Sequence, residues 1–218
     1  MKLLHIVATP REGGSNTLLV AREFIDTLAE QVTDLEVTTV DLYRDDLPAV
    51  AGTNIEVKYS LSKGGPVDRA HQESWTEIES LIATFMSSDI YVISCPMWNL
   101  SIPYALKYYI DCLIQPGYVF EYDEAGRPLP LVHGKRLVCI TSRGGDYGPE
   151  SPLGAYDFQE PYLRAIFGFI GVTDVAFVNA QPMDVSALRD AALASATAQA
   201  RGLAGASAAF GMTGEIAS

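Results

Sequence analysis

The most informative residues of this chain lie in a loop, Pro96–Pro103, that is unusually rich in apolar side chains. The loop follows an apolar, β-rich run, Ile90–Ile93, which predicts a buried strand. Ligands of open α/β sheets bind at the carboxyl ends of strands. Met97, Trp98 and Leu100 could therefore contact a flat aromatic ligand, and the loop amides could bind the polar edge of a heterocycle. The alternative is that Met97 and Trp98 only fill gaps in the core.

A second candidate segment follows the first predicted strand and has the residue types of a phosphate-binding turn. Its hydroxyl and amide side chains are those of Thr9, Ser15, Asn16 and Thr17, and Arg11 adds a positive charge. Free N–H groups and the helix dipole at the start of the next helix favour an anion. Neither GxGxxG nor GxxxxGK[ST] occurs here, which disfavours a dinucleotide Rossmann site and a P-loop. The alternative is a simple helix cap and surface turn.

The third candidate segment, Ser142–Gly148, follows another predicted strand and contains the adjacent glycines Gly144 and Gly145. Glycine lets the backbone approach a ligand closely, and the side chains of Arg143 and Tyr147 are hydrogen-bond donors. A flexible turn is the alternative, because a Gly-Gly pair alone is a weak indicator. If the three segments reach the same sheet edge, together they describe one ligand.

Alternating strand and helix patterns predict the framework that positions these loops. Strand-like segments lie at Leu3–Ala8, Leu35–Leu42, Ile90–Ile93, Arg136–Thr141 and Asp174–Ala180. Helical spacing occurs at 18–28, 68–86, 105–113, 162–170 and 185–209. This alternation predicts one α/β domain over residues 1–218, a three-layer α/β/α fold with a five-stranded parallel sheet in the flavodoxin-like order 2-1-3-4-5. Residues 118–132 predict a hairpin-like excursion, and residues 43–66 a long surface excursion with room for one short helix.

The composition disfavours several classes of protein. Hydrophobic residues make up 48% of the 218, which argues against disorder. The net charge of −12 makes binding to nucleic acid or an anionic membrane unexpected. The cysteines Cys95, Cys112 and Cys139 show no CxxC pairing, so neither a disulfide framework nor a metal site is expected. No targeting segment or membrane-length apolar run is recognised, and a cytoplasmic location is expected.

Three motifs occur together in this chain and in a specific order. They are Pro96-Met97-Trp98-Asn99-Leu100 with Lys107 and Asp111, Thr141-Ser142-Arg143-Gly144-Gly145, and residues 167–175, FGFIGVTDV. In this combination the chain resembles the FMN-dependent NADH-azoreductases of the flavodoxin-like NAD(P)H:quinone oxidoreductase superfamily. The resemblance extends from the first loop to about Phe177, which is most of the chain.

The resemblance implies a homodimer with active sites at its interface, noncovalently bound FMN, and NADH or NADPH as hydride donor. It implies two-electron, ping-pong reduction of quinones and azo compounds, in which donor and acceptor use one slot. No catalytic side chain is expected, because the flavin carries the chemistry. Two positions depart from the family pattern: Trp98 stands where Tyr is frequent and Leu100 where Phe is frequent, which bears on the choice of substrate.

The resemblance also implies which residues form the site. Ser15, Asn16 and Thr17 would bind the phosphate, and Arg143 or Tyr147 would stabilise the negative charge of the reduced flavin. Substrate would contact Asn99, Tyr122 and Phe169, the last from the partner subunit. The implied cofactor-binding residues are Thr9, Arg11, Ser15, Asn16, Thr17, Pro96, Met97, Trp98, Asn99, Leu100, Ser142, Arg143, Gly144, Gly145 and Tyr147.

Two other classes of function remain open from the sequence. A flavodoxin-like one-electron carrier would suit the acidic charge, which could steer basic redox partners. A carrier has little use, however, for Tyr122 and Phe169 as parts of a substrate pocket. The second class is a flavin-sensing or interaction protein, which would bind FMN without oxidising NAD(P)H. The histidines His5, His71 and His133 are interpreted as structural or solvated, because they lie outside the motifs.

Overall fold

A five-stranded parallel sheet forms the centre of the protein, as seen in a computed structural model that describes residues 1–11, 13–52, 54–67, 69 and 71–213. The strands, in chain order, are β1 (Lys2–Val7), β2 (Glu36–Asp41), β3 (Ile90–Pro96), β4 (Phe120–Tyr122), β5 (Pro128–Pro130), β6 (Arg136–Ser142) and β7 (Asp174–Ala180). The main sheet has the order β2-β1-β3-β6-β7, with every pair parallel. Counted within the main sheet this order is 2-1-3-4-5, so the predicted fold class is confirmed.

Helices cover both faces of the sheet and complete the three layers. They are α1 (Asn16–Gln31), α2 (Asn54–Ser62), α3 (Gln72–Met86), α4 (Tyr104–Leu113), α5 (Glu160–Ile170) and α6 (Arg189–Thr213). Phe24 of α1 and Ala200 of α6 belong to one buried core, and Ile78, Leu106 and Phe167 belong to the core on the opposite face. Two residues of the predicted helix 68–86, Asp68 and Ala70, lie outside the described residues.

The central strands end level with one another, which brings their loops to one edge. Val7 pairs with Ser94, Pro96 pairs with Ser142, and Ser142 pairs with Ala180. Strand β3 runs to Pro96, beyond the apolar run that predicted it, because proline is tolerated where a ladder ends. We call this edge, where the loops after β1, β3 and β6 emerge, the rim.

The predicted hairpin-like excursion is a small antiparallel pair formed by β4 and β5. The segment after β5 is attached to the end of α5, where the amide of Val132 donates to the carbonyl of Ile170 at 3.0 Å. Gly171 ends α5 at φ 108°, a conformation that favours glycine. The pair therefore lies beside the end of α5 that is farther from the rim.

The titratable side chains of His5 and Cys95 are buried in the sheet and belong to its packing. The His5 ring nitrogen Nε2 lies 2.8 Å from the Ser94 hydroxyl, and burial lowers the pKa of His5 to about 4. Burial raises the pKa of the Cys95 thiol to about 12, and all three cysteines are buried and unpaired. At neutral pH both the imidazole and the thiol are therefore uncharged. Within the described ranges, no helix has the length and apolar character needed to cross a membrane.

Candidate active site

Ser142, the last residue of β6, joins the three loops of the rim. Its hydroxyl oxygen accepts a hydrogen bond from the Thr17 hydroxyl at 2.9 Å, and its carbonyl accepts one from the Met97 amide at 2.9 Å. Thr17 belongs to the start of α1 and Met97 to the loop after β3. Residues that are 125 positions apart in sequence are thus in direct contact. The structure brings the three predicted segments together at one place.

The segment before α1 offers hydrogen-bond donors to an anion. Ser15 is the N-cap of α1, and its hydroxyl accepts a bond from the Leu18 amide at 3.4 Å. No acceptor for the amides of Asn16 or Thr17 is found in the part of the chain that the structure describes. The first turn of α1 contains no acidic residue, so the positive end of the helix dipole is not neutralised there. These features suit a phosphate group.

Two other predicted residues of this segment differ in exposure. Thr9 is buried, and its hydroxyl oxygen accepts a weak bond from the Arg11 amide at 3.4 Å. Arg11 itself is exposed, so its guanidinium can reach solvent beside the helix start. Both belong to the segment between β1 and α1, in which Arg11 supplies a cationic group.

A two-residue turn shapes the loop after β3. Trp98 and Ser101 exchange two backbone hydrogen bonds, each 3.0 Å long, while Asn99 and Leu100 adopt φ values of 47° and 70°. Two central residues with positive φ define a type I′ turn. A left-handed conformation at Leu100 costs about 1–2 kcal/mol, and such strain clusters at functional sites. The amides of Asn99 and Leu100 have no acceptor among the described residues, which leaves them for a ligand.

The side chains of this turn form part of an aromatic surface. Trp98 is 38% exposed, and its ring meets that of Tyr43 edge-on at 6.3 Å. Tyr43 in turn contacts Tyr104 at 5.7 Å. Tyr43 follows β2 and was missed by the sequence analysis, because hydrophobic periodicity is lost at that position and gave no signal. Pro96 and Met97 are half-buried beside this surface.

The two glycines after β6 present bare backbone to the rim. A Cβ on Gly144 would collide with the carboxylate of Asp184, and one on Gly145 would lie 2.8 Å from Leu153 Cδ1. The Gly144 carbonyl accepts a bond from the Asp184 amide at 3.0 Å, which fixes the loop. Tyr147, whose amide donates to the Gln181 side chain at 3.3 Å, lies near Gly145. A side chain at either position could be accommodated only if the side chain of Asp184 or Leu153 moved aside.

Arg143 is placed differently from the sequence-based interpretation. Its side chain is 1% exposed, and its guanidinium donates to Thr141 at 3.1 Å, Gln159 at 3.1 Å and Asp157 at 2.8 Å. Its backbone amide and carbonyl are also paired, with Ala180 and Met183. The expectation that Arg143 donates to the ligand is therefore corrected: the residue supports the loop from inside, because its guanidinium is buried and bound to Thr141, Asp157 and Gln159.

Asp157 and Gln159 are site-supporting residues that the sequence analysis missed. The Asp157 carboxylate accepts bonds from the amides of Gln159 and Glu160, at 2.9 and 3.0 Å, and so caps α5. A signal was available for Asp157, since the pattern Asp157-x-x-Glu160 before an apolar helix resembles a capping box. No comparable signal marked Gln159, whose partners are distant in sequence.

Tyr122 and Phe169 do not join the rim within one chain. Both rings contact Phe120, at 5.4 and 4.8 Å, and they are 49% and 37% exposed. Helix α5 starts next to the rim at Glu160, and Phe169 lies nine residues farther along it, a rise of roughly 14 Å at 1.5 Å per residue. The pair forms a separate exposed aromatic surface at the far end of α5.

A pocket that opens to solvent is found elsewhere in the protein. It has a volume of about 420 Å³ and lies between the segment after β2 and helix α3, with Asp45, Leu47, Glu77 and Leu81 in its lining. None of the predicted site residues lines it. The rim instead is an open surface of amide donors, hydroxyls and an indole, which suits a phosphorylated planar ring better than a compact substrate.

Comparisons with known proteins agree with this geometry. A family described by its flavodoxin-like fold matches residues 1–203. FMN-dependent NADH:quinone oxidoreductase 3 of Pseudomonas fluorescens is 38% identical over 79% of this chain and 81% of its own length. FMN-dependent NADH:quinone oxidoreductase of Desulfotalea psychrophila is 35% identical over 93% of this chain and 96% of its own.

A solved structure extends the similarity to three dimensions. The FMN-dependent NADH-azoreductase of Bacillus anthracis str. Ames Ancestor, solved in complex with FMN, superposes with a TM-score of 0.85. It is 26% identical, and the match covers 95% of this chain and 99% of that one. Fold, chain length and sequence all place the protein with the same relatives, so this chain belongs to the family of flavodoxin-like FMN-dependent NADH:quinone oxidoreductases.

Proposed function

We propose that this chain binds FMN at the rim and uses NADH to reduce quinones and azo compounds by two electrons. The observation that carries the proposal is the convergence of three loops on Ser142, each with the donor types that FMN requires. The relatives named above support the cofactor, the donor and the substrate class. Residues 1–218 act as a single domain in this proposal.

Different residues of the rim bind different parts of the cofactor. The amides of Asn16 and Thr17, with the Ser15 hydroxyl and Arg11, hold the phosphate at the positive end of α1. The type I′ turn of residues 98–101, called the Trp98 turn below, holds the ring, with the Asn99 and Leu100 amides at the polar edge of the ring. The remaining side of the ring meets backbone from Gly144 and Gly145, and Ser142 links both sides. Thr9, Pro96, Met97 and Tyr147 complete the contact surface.

FMN, when bound, supplies the chemistry of accepting a hydride and passing it on. The protein contributes orientation and electrostatics. Amide dipoles of the Trp98 turn and of Gly144 and Gly145 stabilise negative charge at the edge of the ring, and they do so without reorganising. NADH and then the acceptor occupy the same open surface beside Trp98, so the two bind in turn and never together, which is a ping-pong order. No covalent nucleophile of the chain is required, and solvent at the open surface supplies the proton that completes each two-electron reduction.

Steady-state kinetics of the FMN-loaded protein test this function. With NADH and a benzoquinone varied together, we expect parallel reciprocal plots and a turnover number of about 1–1,000 s⁻¹, the usual enzymatic range. In a parallel assay with NADH but without quinone or oxygen, cytochrome c should remain oxidised, because the reduced cofactor gives up its electrons in pairs. Bound FMN without NADH oxidation would contradict the proposal, and so would intersecting plots for its shared-slot part.

A one-electron carrier is the second candidate function, favoured by the net charge of −12. The same assay separates the two functions. A carrier would pass electrons singly, and cytochrome c would then be reduced at a rate comparable to NADH oxidation.

The active site in this proposal is completed by a second copy of the chain. Tyr122 and Phe169 are exposed aromatic residues at the far end of α5 from the rim, and a substrate pocket can receive them only from the partner subunit. Sedimentation of the FMN-loaded protein should give twice the monomer mass. A monomer that keeps full quinone reductase activity would contradict this arrangement.

A cytoplasmic location is part of the proposal. Cys95, Cys112 and Cys139 are buried free thiols, which suit a reducing compartment. Fractionation of the source cells, with the protein traced by antibody, would show whether it accompanies cytoplasmic markers.

A further inference from the structure

The carbonyl of Pro96 marks the point where β3 becomes the Trp98 turn, and a buried glutamine binds it. Gln159 Nε2 donates to the Pro96 carbonyl at 3.0 Å and lies 3.5 Å from the Cys95 sulfur. Gln159 is fully buried. Met97, the residue after Pro96, donates its amide to the Ser142 carbonyl. The entry to the turn is thus fixed on both sides.

The orientation of the Gln159 amide is determined by Arg143. A guanidinium has donors only, so the oxygen Oε1 must face Arg143 Nε, which lies 3.1 Å away. The amide nitrogen is therefore directed at Pro96. Arg143 in turn donates hydrogen bonds to Asp157 and Thr141. Asp157 also accepts a hydrogen bond from the backbone amide of Gln159.

The same short segment also holds the far end of the turn. The Phe158 amide donates to the Leu100 carbonyl at 3.1 Å. Residues 158 and 159 therefore bind the carbonyls of Leu100 and Pro96, which flank Trp98 and Asn99. A turn with two left-handed residues persists only where its surroundings over-determine it, and these two bonds provide that constraint.

We infer that Gln159 is a positioning residue for the flavin ring: through the Pro96 carbonyl, with Arg143 as its anchor, it sets the place of the turn amides. The inference rests on the proposed function, because the turn is taken to bind FMN. Gln159 does not touch the ligand in this account. It acts on the amides of Asn99 and Leu100 by fixing the backbone that carries them.

Two substitutions separate the bonds of Gln159. Gln159→Glu keeps an acceptor for Arg143 but loses the donor to Pro96, since a carboxylate only accepts. Gln159→Met loses both bonds and keeps the volume. We expect each variant to raise the Kd for FMN about tenfold, equal to about 1.4 kcal/mol, and to shift the visible absorbance bands of the bound flavin.

Gln115 offers a matched control. It is also fully buried, and its Nε2 donates to the carbonyls of Asp111 and Cys112 at 2.6 and 3.2 Å, just after α4 and away from the rim. Gln115→Met should also lower the thermal midpoint, but by less than Gln159→Met, because it loses buried hydrogen bonds and at the same time removes an Oε1 that is buried without a partner among the described residues. It should leave the Kd for FMN and the flavin spectrum unchanged.

A readout without FMN completes the test. The chain has two tryptophans, so its NMR spectrum has two indole N–H signals. Gln159→Glu should move the Trp98 signal and leave that of Trp75, which is buried beside Tyr118. A folded Gln159→Glu protein with an unmoved Trp98 signal and a Kd within twofold of wild type would overturn the inference alone. A wild-type protein that takes up no FMN would overturn the proposed function, and with it this inference.

Discussion

Replacement of Leu100 by proline is expected to weaken FMN binding at least about a hundredfold, equal to about 2.7 kcal/mol. Leu100 adopts φ 70°, whereas proline is fixed near −65°, so the type I′ turn cannot form. Proline also removes the Leu100 amide and disfavours the conformation of Asn99 before it. Fluorescence quenching of FMN during titration gives the Kd. The loss of stability should be modest, because the turn is at the surface.

Leu100→Gly is the matched control for this prediction. It also removes the side chain, but it keeps the amide and adopts positive φ without strain. We expect a Kd within about threefold of wild type and a protein that is equally or slightly more stable. If the glycine variant loses FMN as fully as the proline variant, the Leu100 side chain rather than the backbone amides would carry the contact.

Gly171→Ala is expected to lower the free energy of unfolding by about 3 kcal/mol. Gly171 has φ 108°, and a Cβ there would collide with the Val132 carbonyl oxygen and lie 3.0 Å from the Pro130 Cβ. Relief would require the end of α5 to separate from the segment after β5. With about 2–4 °C per kcal/mol for a domain of this size, the thermal midpoint should fall roughly 6–12 °C. Urea and thermal unfolding measure both quantities.

Gly168→Ala provides the comparison on the same helix. A Cβ at Gly168 meets nothing within 4 Å and its φ is helical. Alanine exceeds glycine in helix propensity by about 1 kcal/mol, so this variant should be unchanged or more stable. Equal thermal midpoints for the two alanine variants would show that neither the positive φ nor the contact with Val132 destabilises the Gly171→Ala protein.

The fold could be predicted because each main strand is an apolar, β-rich run separated from the next by helical spacing. The strand order followed from general rules of α/β connection rather than from any residue. The rim followed as well, since the carboxyl ends of parallel strands meet at one edge. What the residues of one strand cannot show is which partner a neighbouring loop provides, and the site depends on such partners.

Arg143 and Leu100 illustrate this limit. The sequence shows an arginine after a strand and before two glycines, a setting that suggests an exposed donor. Its partners Asp157 and Gln159 lie 14 and 16 residues later and reach it only when α5 packs beside β6. Leucine rarely adopts positive φ, so the turn at Leu100 was not predictable from local preference. The position of the Arg143 side chain and the backbone conformation of Leu100 are both determined by tertiary contacts, which form only when the chain folds.

The central claim is that loops after β1, β3 and β6 bind one FMN, and an NMR titration of the protein with FMN tests it most directly. We expect the amides of Asn16, Thr17, Asn99, Leu100, Gly144 and Gly145 to shift together and to saturate at one FMN per chain. Shifts that omit one of the three loops, or that appear instead around Leu47 and Leu81 at the separate cavity, would contradict it.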